Sequence, residues 1–165
     1  MTEAMITLEW LRDHTPYDEF IWPWWRHFGN NATIADMVQW LHENNRQCGE
    51  AWLLGQTPKL TKAALAVGAD VHANCDEALV EATYFGRLGV VKILCAAGVD
   101  ANARGGQALR MAVLWGHLEI VKELRAAGAD FSVIDADLLE EAEMNGHIEV
   151  VDYVKSITEE KNNGD

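Results

Sequence analysis

Apolar residues in the second half of the chain recur at helical spacing, and the whole pattern recurs every 30 residues. That shift superimposes Leu79, Leu109 and Leu139, then Ala82, Ala112 and Ala142. Further along, it aligns Val91, Val121 and Val151, and Leu94, Leu124 and Val154. Glycine keeps the same register at Gly86, Gly116 and Gly146, and a Gly-x-Asp step repeats at Gly68/Asp70, Gly98/Asp100 and Gly128/Asp130. So many columns in one register mark an internal repeat, and a repeat fixes the architecture before any single motif does.

Each unit predicts a pair of helices. Leu79 and Ala82 lie three apart, on one face of a short helix that ends at Gly86. The alanine is small enough to let a neighbouring helix come close. Leu88, Val91 and Leu94/Cys95 stripe a second helix, which Gly98 stops, because the residue after a helix often adopts a left-handed conformation that glycine tolerates. "VDANARGGQ" then carries the chain to the next pair. Neither helix can bury its face alone, so the units must stack.

The first third follows the repeat less closely. "TIADMVQWLHENN" reads as an outer helix, with Thr33 as N-cap, Asp36 three residues on, and Met37, Val38 and Leu41 apolar. "GEAWLLGQ" reads as a degenerate inner helix, and "TPKLTKAALAVGAD" as its outer partner, with Thr57 capping and Pro58 in the first turn. Ahead of them, "TPYDEFIWPWWRHFGNN" starts as a helix at Thr15, should kink at Pro23 and should end at Gly29. Its crowd of tryptophans is expected to seal the open end of the stack. The alternative is an aromatic anchor for a partner or a second copy of the chain.

"ALRMAVLWGHLEIVKELRAAGADFSV" resembles an ankyrin repeat: leucine and alanine in the inner helix, GH-LE-IV opening the outer one, then GAD. The resemblance implies an all-α, ankyrin-type helical solenoid. It divides the chain into a Trp-rich helical N-terminal cap over 1–47, repeats over 48–157, and a polar, frayed tail over 158–165. The repeats comprise a degenerate unit 48–70, full units 71–100 and 101–130, and a capping unit 131–157. The period is three residues shorter than the family's usual ~33, and TPLH is replaced by "EALV", "QALR" and "DLLE". Short turns are therefore expected in place of the family's projecting hairpin fingers. Such compact units resemble those of viral, phage and bacterial ankyrin proteins.

The resemblance also implies where a partner would bind. Family members usually meet their partners on the concave side, through the turn tips and the two residues before the inner-helix glycine. Carried over, the paired positions are Tyr84-Phe85, Leu114-Trp115 and Met144-Asn145. The turn tips are Asn74, Cys75, Asp76, Arg104, Gln107, Ile134 and Asp135, with Arg110 on the helix between the two sets. Large apolar side chains at positions expected to be exposed suggest an interaction stripe. The same row could instead be covered by the short turns or by the Trp-rich segment.

Charge narrows the choice of partner. The net charge is −13, which disfavours direct binding to nucleic acid. From Asp130 onward, eleven acids face only Lys155 and Lys161, so the last fifth carries −9 of that charge. Such an end is either a solvated surface or a face for a basic partner. The expected partner is a protein with a basic and partly apolar surface, bound by occlusion or scaffolding. Small size, acidity and the compact repeats together suggest an inhibitor, encoded by a phage or mobile element, of a host defence or nucleic-acid enzyme. The alternative is an acidic nucleic-acid mimic that uses Asp135, Asp137, Glu140, Glu141 and Glu143.

No catalytic signature is present: the sequence lacks GxSxG, a phosphate-binding glycine loop and HExxH. No cofactor is expected. His72-x-x-Cys75 offers at most two metal ligands where a structural zinc site usually takes four, so no metal is expected either. His117 and His147 occupy the Gly-His position, where the ring is expected to bond within its own turn. Three cysteines without CxxC spacing, the absence of a signal-like start, and no apolar run near the ~18 residues of a membrane span fit a cytoplasmic setting, in the source cell or an infected host.

Overall fold

The computed structural model describes residues 33–162. The helix expected from Thr15, the Pro23 kink and the Trp-rich cap lie outside the described residues, as does the end of the tail. Nine α-helices follow one another among the described residues: α1 (Ile34–Glu43), α2 (Gln47–Gly55), α3 (Pro58–Ala66), α4 (Ala73–Tyr84), α5 (Leu88–Ala96), α6 (Ala103–Leu114), α7 (Leu118–Ala126), α8 (Ala136–Met144) and α9 (Ile148–Asn162). The inner helices α2, α4, α6 and α8 pack side by side in one layer. The outer helices α1, α3, α5, α7 and α9 form the other.

The helices start where local chemistry supplies a cap. The Thr33 side chain accepts from the Asp36 N–H while the Asp36 carboxylate accepts from the Thr33 N–H, closing a capping box. The Thr33 N–H and, in addition, the Thr33 hydroxyl donate to the Asp36 carboxylate and hold it below its ordinary value. Thr57 caps α3 through the Leu60 N–H, with Pro58 in the first turn. Helix ends are equally regular. After α4, the Gly86 N–H donates to the Thr83 carbonyl and the Arg87 N–H to the Ala82 carbonyl. The same pair of bonds recurs at Gly116/His117 and Gly146/His147, with each glycine at positive φ.

The core is the set of repeating columns. Leu79, Leu109, Ala82, Ala112, Ala142, Val91, Val121, Val151, Leu94, Leu124 and Val154 are buried between the two layers. Leu139, the last member of its column, is only half-buried, because α8 is the last inner helix and no further helix among the described residues packs beyond it. Helix α9 also runs through Asn162, past the unit end at 157 and into the tail expected to fray. Its continuation has two anchors: Ile157 is buried, and the Thr158 hydroxyl donates to the Val154 and Lys155 carbonyls.

Short turns do replace fingers, and their form was not anticipated. In the first turn of the inner elements α4 and α6, three consecutive residues adopt left-handed backbone: Asn74, Cys75 and Asp76 (φ 52, 56 and 58°), then Arg104, Gly105 and Gly106 (φ 55, 66 and 71°). Regular right-handed helix starts after each. In the last unit a 3₁₀ turn, Phe131–Val133, stands in their place, and Asp135 caps α8 through the Leu138 N–H. Aspartates of the Gly-x-Asp step brace every corner. Asp70, Asp100 and Asp130 each accept from the N–H two residues on. Their own N–H groups donate back along the stack, to Glu50, Asp76 and Asn102 respectively.

Candidate functional site

The C-terminal ends of the inner helices bring together the residues expected to form a row. Tyr84 and Phe85 end α4, and Leu114 and Trp115 end α6. The 30-residue register sets these ends side by side. Tyr84 meets Phe85 edge-to-face, with ring centroids 5.0 Å apart, and meets Trp115 across the unit boundary in the same manner at 5.3 Å. Edge-to-face contacts suit the ring quadrupole and hold the three rings as one block. Exposure is 46% for Tyr84, 56% for Phe85 and 46% for Trp115, so the block stays open to solvent. Met144 continues it at 76%, beside the exposed Asn145, while Leu114 is half-buried against the core.

The turn-tip residues sit at the opposite, N-terminal ends of the same short helices. Arg104 pairs with Glu77, and Gln107 is partly buried. Arg110 donates to the Val133 carbonyl at 2.8 Å and to the Asp135 carboxylate at 3.2 Å, tying α6 to the last corner. The Leu138 N–H and the Arg110 guanidinium hold the Asp135 carboxyl below its ordinary value. Ile134 packs partly buried against the core, and Asn74 and Asp76 are turned inward, with Cys75 exposed.

A family model for ankyrin repeats, in three copies, matches residues 30–135. The chain belongs to the ankyrin-repeat family. The matched stretch takes in α1 and ends at Asp135, the cap of α8. No curated protein matches the chain. Ankyrin repeats are protein–protein interaction modules, which assigns this chain to that class.

The ankyrin Gly-His position carries a contact that sequence reasoning misplaced. The ring of His117 lies against Gly86 of the preceding unit, and that of His147 against Gly116, rather than bonding within its own turn. Both glycines need their bare Cα for this, since a Cβ there would run into the ring. Arg87 takes the same position one unit earlier. It donates to the Gly55 carbonyl at 2.7 Å and lays its guanidinium over the Phe85 ring at 4.5 Å. Sequence reasoning missed Arg87 as a site residue: its place in the Gly-His column marks a special position, but not the contact with the previous unit that the structure shows. Beneath it, burial raises the Glu81 carboxyl above its ordinary value, against the lowering influence of Gln56 and Arg87.

The acidic face is only partly free. Asp135 serves as cap and as the Arg110 partner, and Glu143 pairs with Lys155 at 3.4 Å. Asp137, Glu140 and Glu141 are exposed and have no partner among the described residues. Burial pushes the Cys95 thiol up to about 11, which leaves it un-ionised at neutral pH. His72 turns Nδ1 to the Asp76 carboxylate at 2.9 Å, and no group of three or more His, Cys, Asp or Glu among the described residues could hold a metal ion. No described helix is long and apolar enough to cross a membrane.

Proposed function

We propose that this ankyrin-repeat chain binds another protein through the row Tyr84, Phe85 and Trp115, extended by Met144, and acts by occlusion or scaffolding rather than by catalysis. One observation carries the reading: Tyr84 touches both Phe85 and Trp115, and the three rings, spanning two successive units, remain about half exposed. Rings already locked against each other lose little freedom on binding, and Trp and Tyr are the residues most often found at interface hot spots. The acidic-mimic alternative is weaker, because two of its five carboxylates already hold the fold together.

The test is capture of binding proteins by the wild-type chain and by a Tyr84→Ala/Trp115→Ala variant whose helicity is unchanged by circular dichroism. A partner bound through the row should lose roughly 30-fold or more in affinity, the loss of about 2 kcal/mol typical of a hot spot, and should persist at high salt. A partner unaffected by the double variant but released by salt would overturn the row in favour of the acidic face.

A further inference from the structure

The outward faces of successive inner helices differ in the state of their carboxylates. In α4 the stripe reads Glu77, Glu81, Tyr84; in α6 it reads Gln107, Arg110, Met111, Leu114; in α8 it reads Asp137, Glu140, Glu141, Met144. Positions spaced by three, four and seven lie on one face of a helix, so each stripe is a single surface and the three are neighbours. Acids flank the aromatic block on both sides, but their states differ. On the α4 side, Glu77 is neutralised by Arg104, and Glu81 accepts from Gln56 at 3.0 Å with Arg87 at 3.9 Å. On the α8 side, Asp137, Glu140 and Glu141 are exposed with no partner among the described residues. The Phe85 ring is also covered by the chain's own Arg87, which leaves Tyr84 and Trp115 as the rings of the row with no cation of the described residues over them.

We propose that the row accepts a protein segment of two-part chemistry laid across the stack in one direction. Its aliphatic or aromatic residues seat on Tyr84 and Trp115, and its lysines or arginines reach the carboxylates of Asp137, Glu140 and Glu141. The inference rests on the row being the binding surface and adds the partner's charge and its orientation. Charge complementarity fixes the direction, because only the α8 side offers carboxylates that are not already matched. Spacing follows as well. Packed helices lie roughly 8–10 Å apart, and an extended chain advances about 3.3 Å per residue. The carboxylates also lie one to two turns, about 5–12 Å, nearer the N-terminal end of α8 than the level of the rings, so the segment crosses obliquely and its basic residues fall about three to seven positions from the apolar ones.

The closing experiment selects binders to the full chain from a random 16-residue peptide library and keeps those that Trp115→Ala loses, with Tyr84→Ala as the second row variant. Affinities of the retained peptides are then measured by calorimetry on two charge variants of equal net change. One neutralises the α8 face (Asp137→Asn/Glu140→Gln/Glu141→Gln). The other neutralises the outer helix α9 (Glu149→Gln/Asp152→Asn/Glu159→Gln). The expected peptides carry Lys or Arg on one side of an apolar residue, weaken roughly tenfold on the α8 variant and change less than twofold on the α9 variant. Row-dependent peptides without basic enrichment, or equal weakening by both variants, would overturn the two-part partner while leaving the row in place. Failure to recover any peptide that depends on Trp115 or Tyr84 would overturn the row, and this inference with it.

Discussion

Units 71–100 and 101–130 solve the same corner with different residues. Both turn into the inner helix through three left-handed residues, yet one spells the turn Asn74-Cys75-Asp76 and the other Arg104-Gly105-Gly106. Left-handed backbone costs an L-residue roughly 1–2 kcal/mol, with Asn and Asp favoured over other side chains. The first unit offsets that cost with bonds that glycine cannot make: the Asp76 carboxylate accepts from the Asp100 N–H and faces His72. The second uses glycine out of necessity, since a Cβ on Gly106 would strike Val133. One unit back, the position of Val133 is held by Ala103, and Asp76 is accommodated. The corner is thus dictated by the stack, and the local sequence is free to reach it by bonding or by flexibility.

Paired substitutions test how far position in the stack decides these costs. The largest effect concerns position in the stack. Leu109→Ala, at a fully buried site between units, should cost about 3 kcal/mol in urea denaturation, whereas Leu139→Ala in the same column, half-buried, should cost about 1 kcal/mol. Equal losses would mean that the last unit is as well packed as the middle ones. Glycine gives the next contrast. Gly116→Ala meets the His147 ring at positive φ and should cost about 2–4 kcal/mol; Gly128→Ala, also at positive φ but with open space around it, should cost about 1–2 kcal/mol. The corner itself gives effects of opposite sign. Cys75→Gly should stabilise by about 1 kcal/mol and Gly105→Ala should destabilise by about the same amount.

The smallest effect is a difference in pH dependence. Asp135 has a lowered folded pKa, so its contribution is present above its ordinary value of 3.8 and is lost as the pH falls through the folded value. The stability gap between wild type and Asp135→Ala should be open at pH 7 and close in acid. Glu81 is raised by burial, so its contribution is present below 4.5 and lost as the pH rises through the folded value. Glu81→Gln should therefore gain on wild type between pH 4 and pH 7. Parallel curves for either variant would contradict the assignment.

What the sequence made legible is what local chemistry determines. Thr33 with Asp36, Thr57 with Pro58, and the glycines at Gly86 and Gly98 announce helix ends through bonds made within a few residues. The left-handed corners were illegible because Asn74-Cys75-Asp76 contains no glycine, and the bond that rewards the turn comes from Asp100, a whole unit away. The aromatic row could be read from register, since Tyr84, Phe85 and Trp115 fall before aligned glycines. Arg87 over Phe85 could not, because its geometry depends on a carbonyl of the preceding unit, at Gly55.

The histidine ring resting on the glycine one unit earlier makes this molecule extensible. Each unit carries its own plug and its own socket: His147 fits Gly116 as His117 fits Gly86. A tandem duplication of residues 101–130 would seat the new histidine on the old glycine and offer a fresh glycine to His147. The corner would come with its own amide and acceptor, as Asp130 and Asn102 already provide. Lineages of such a chain can therefore lengthen the row of apolar and aromatic side chains by one leucine–tryptophan pair at a time, through copying alone, without inventing a new interface to join the pieces.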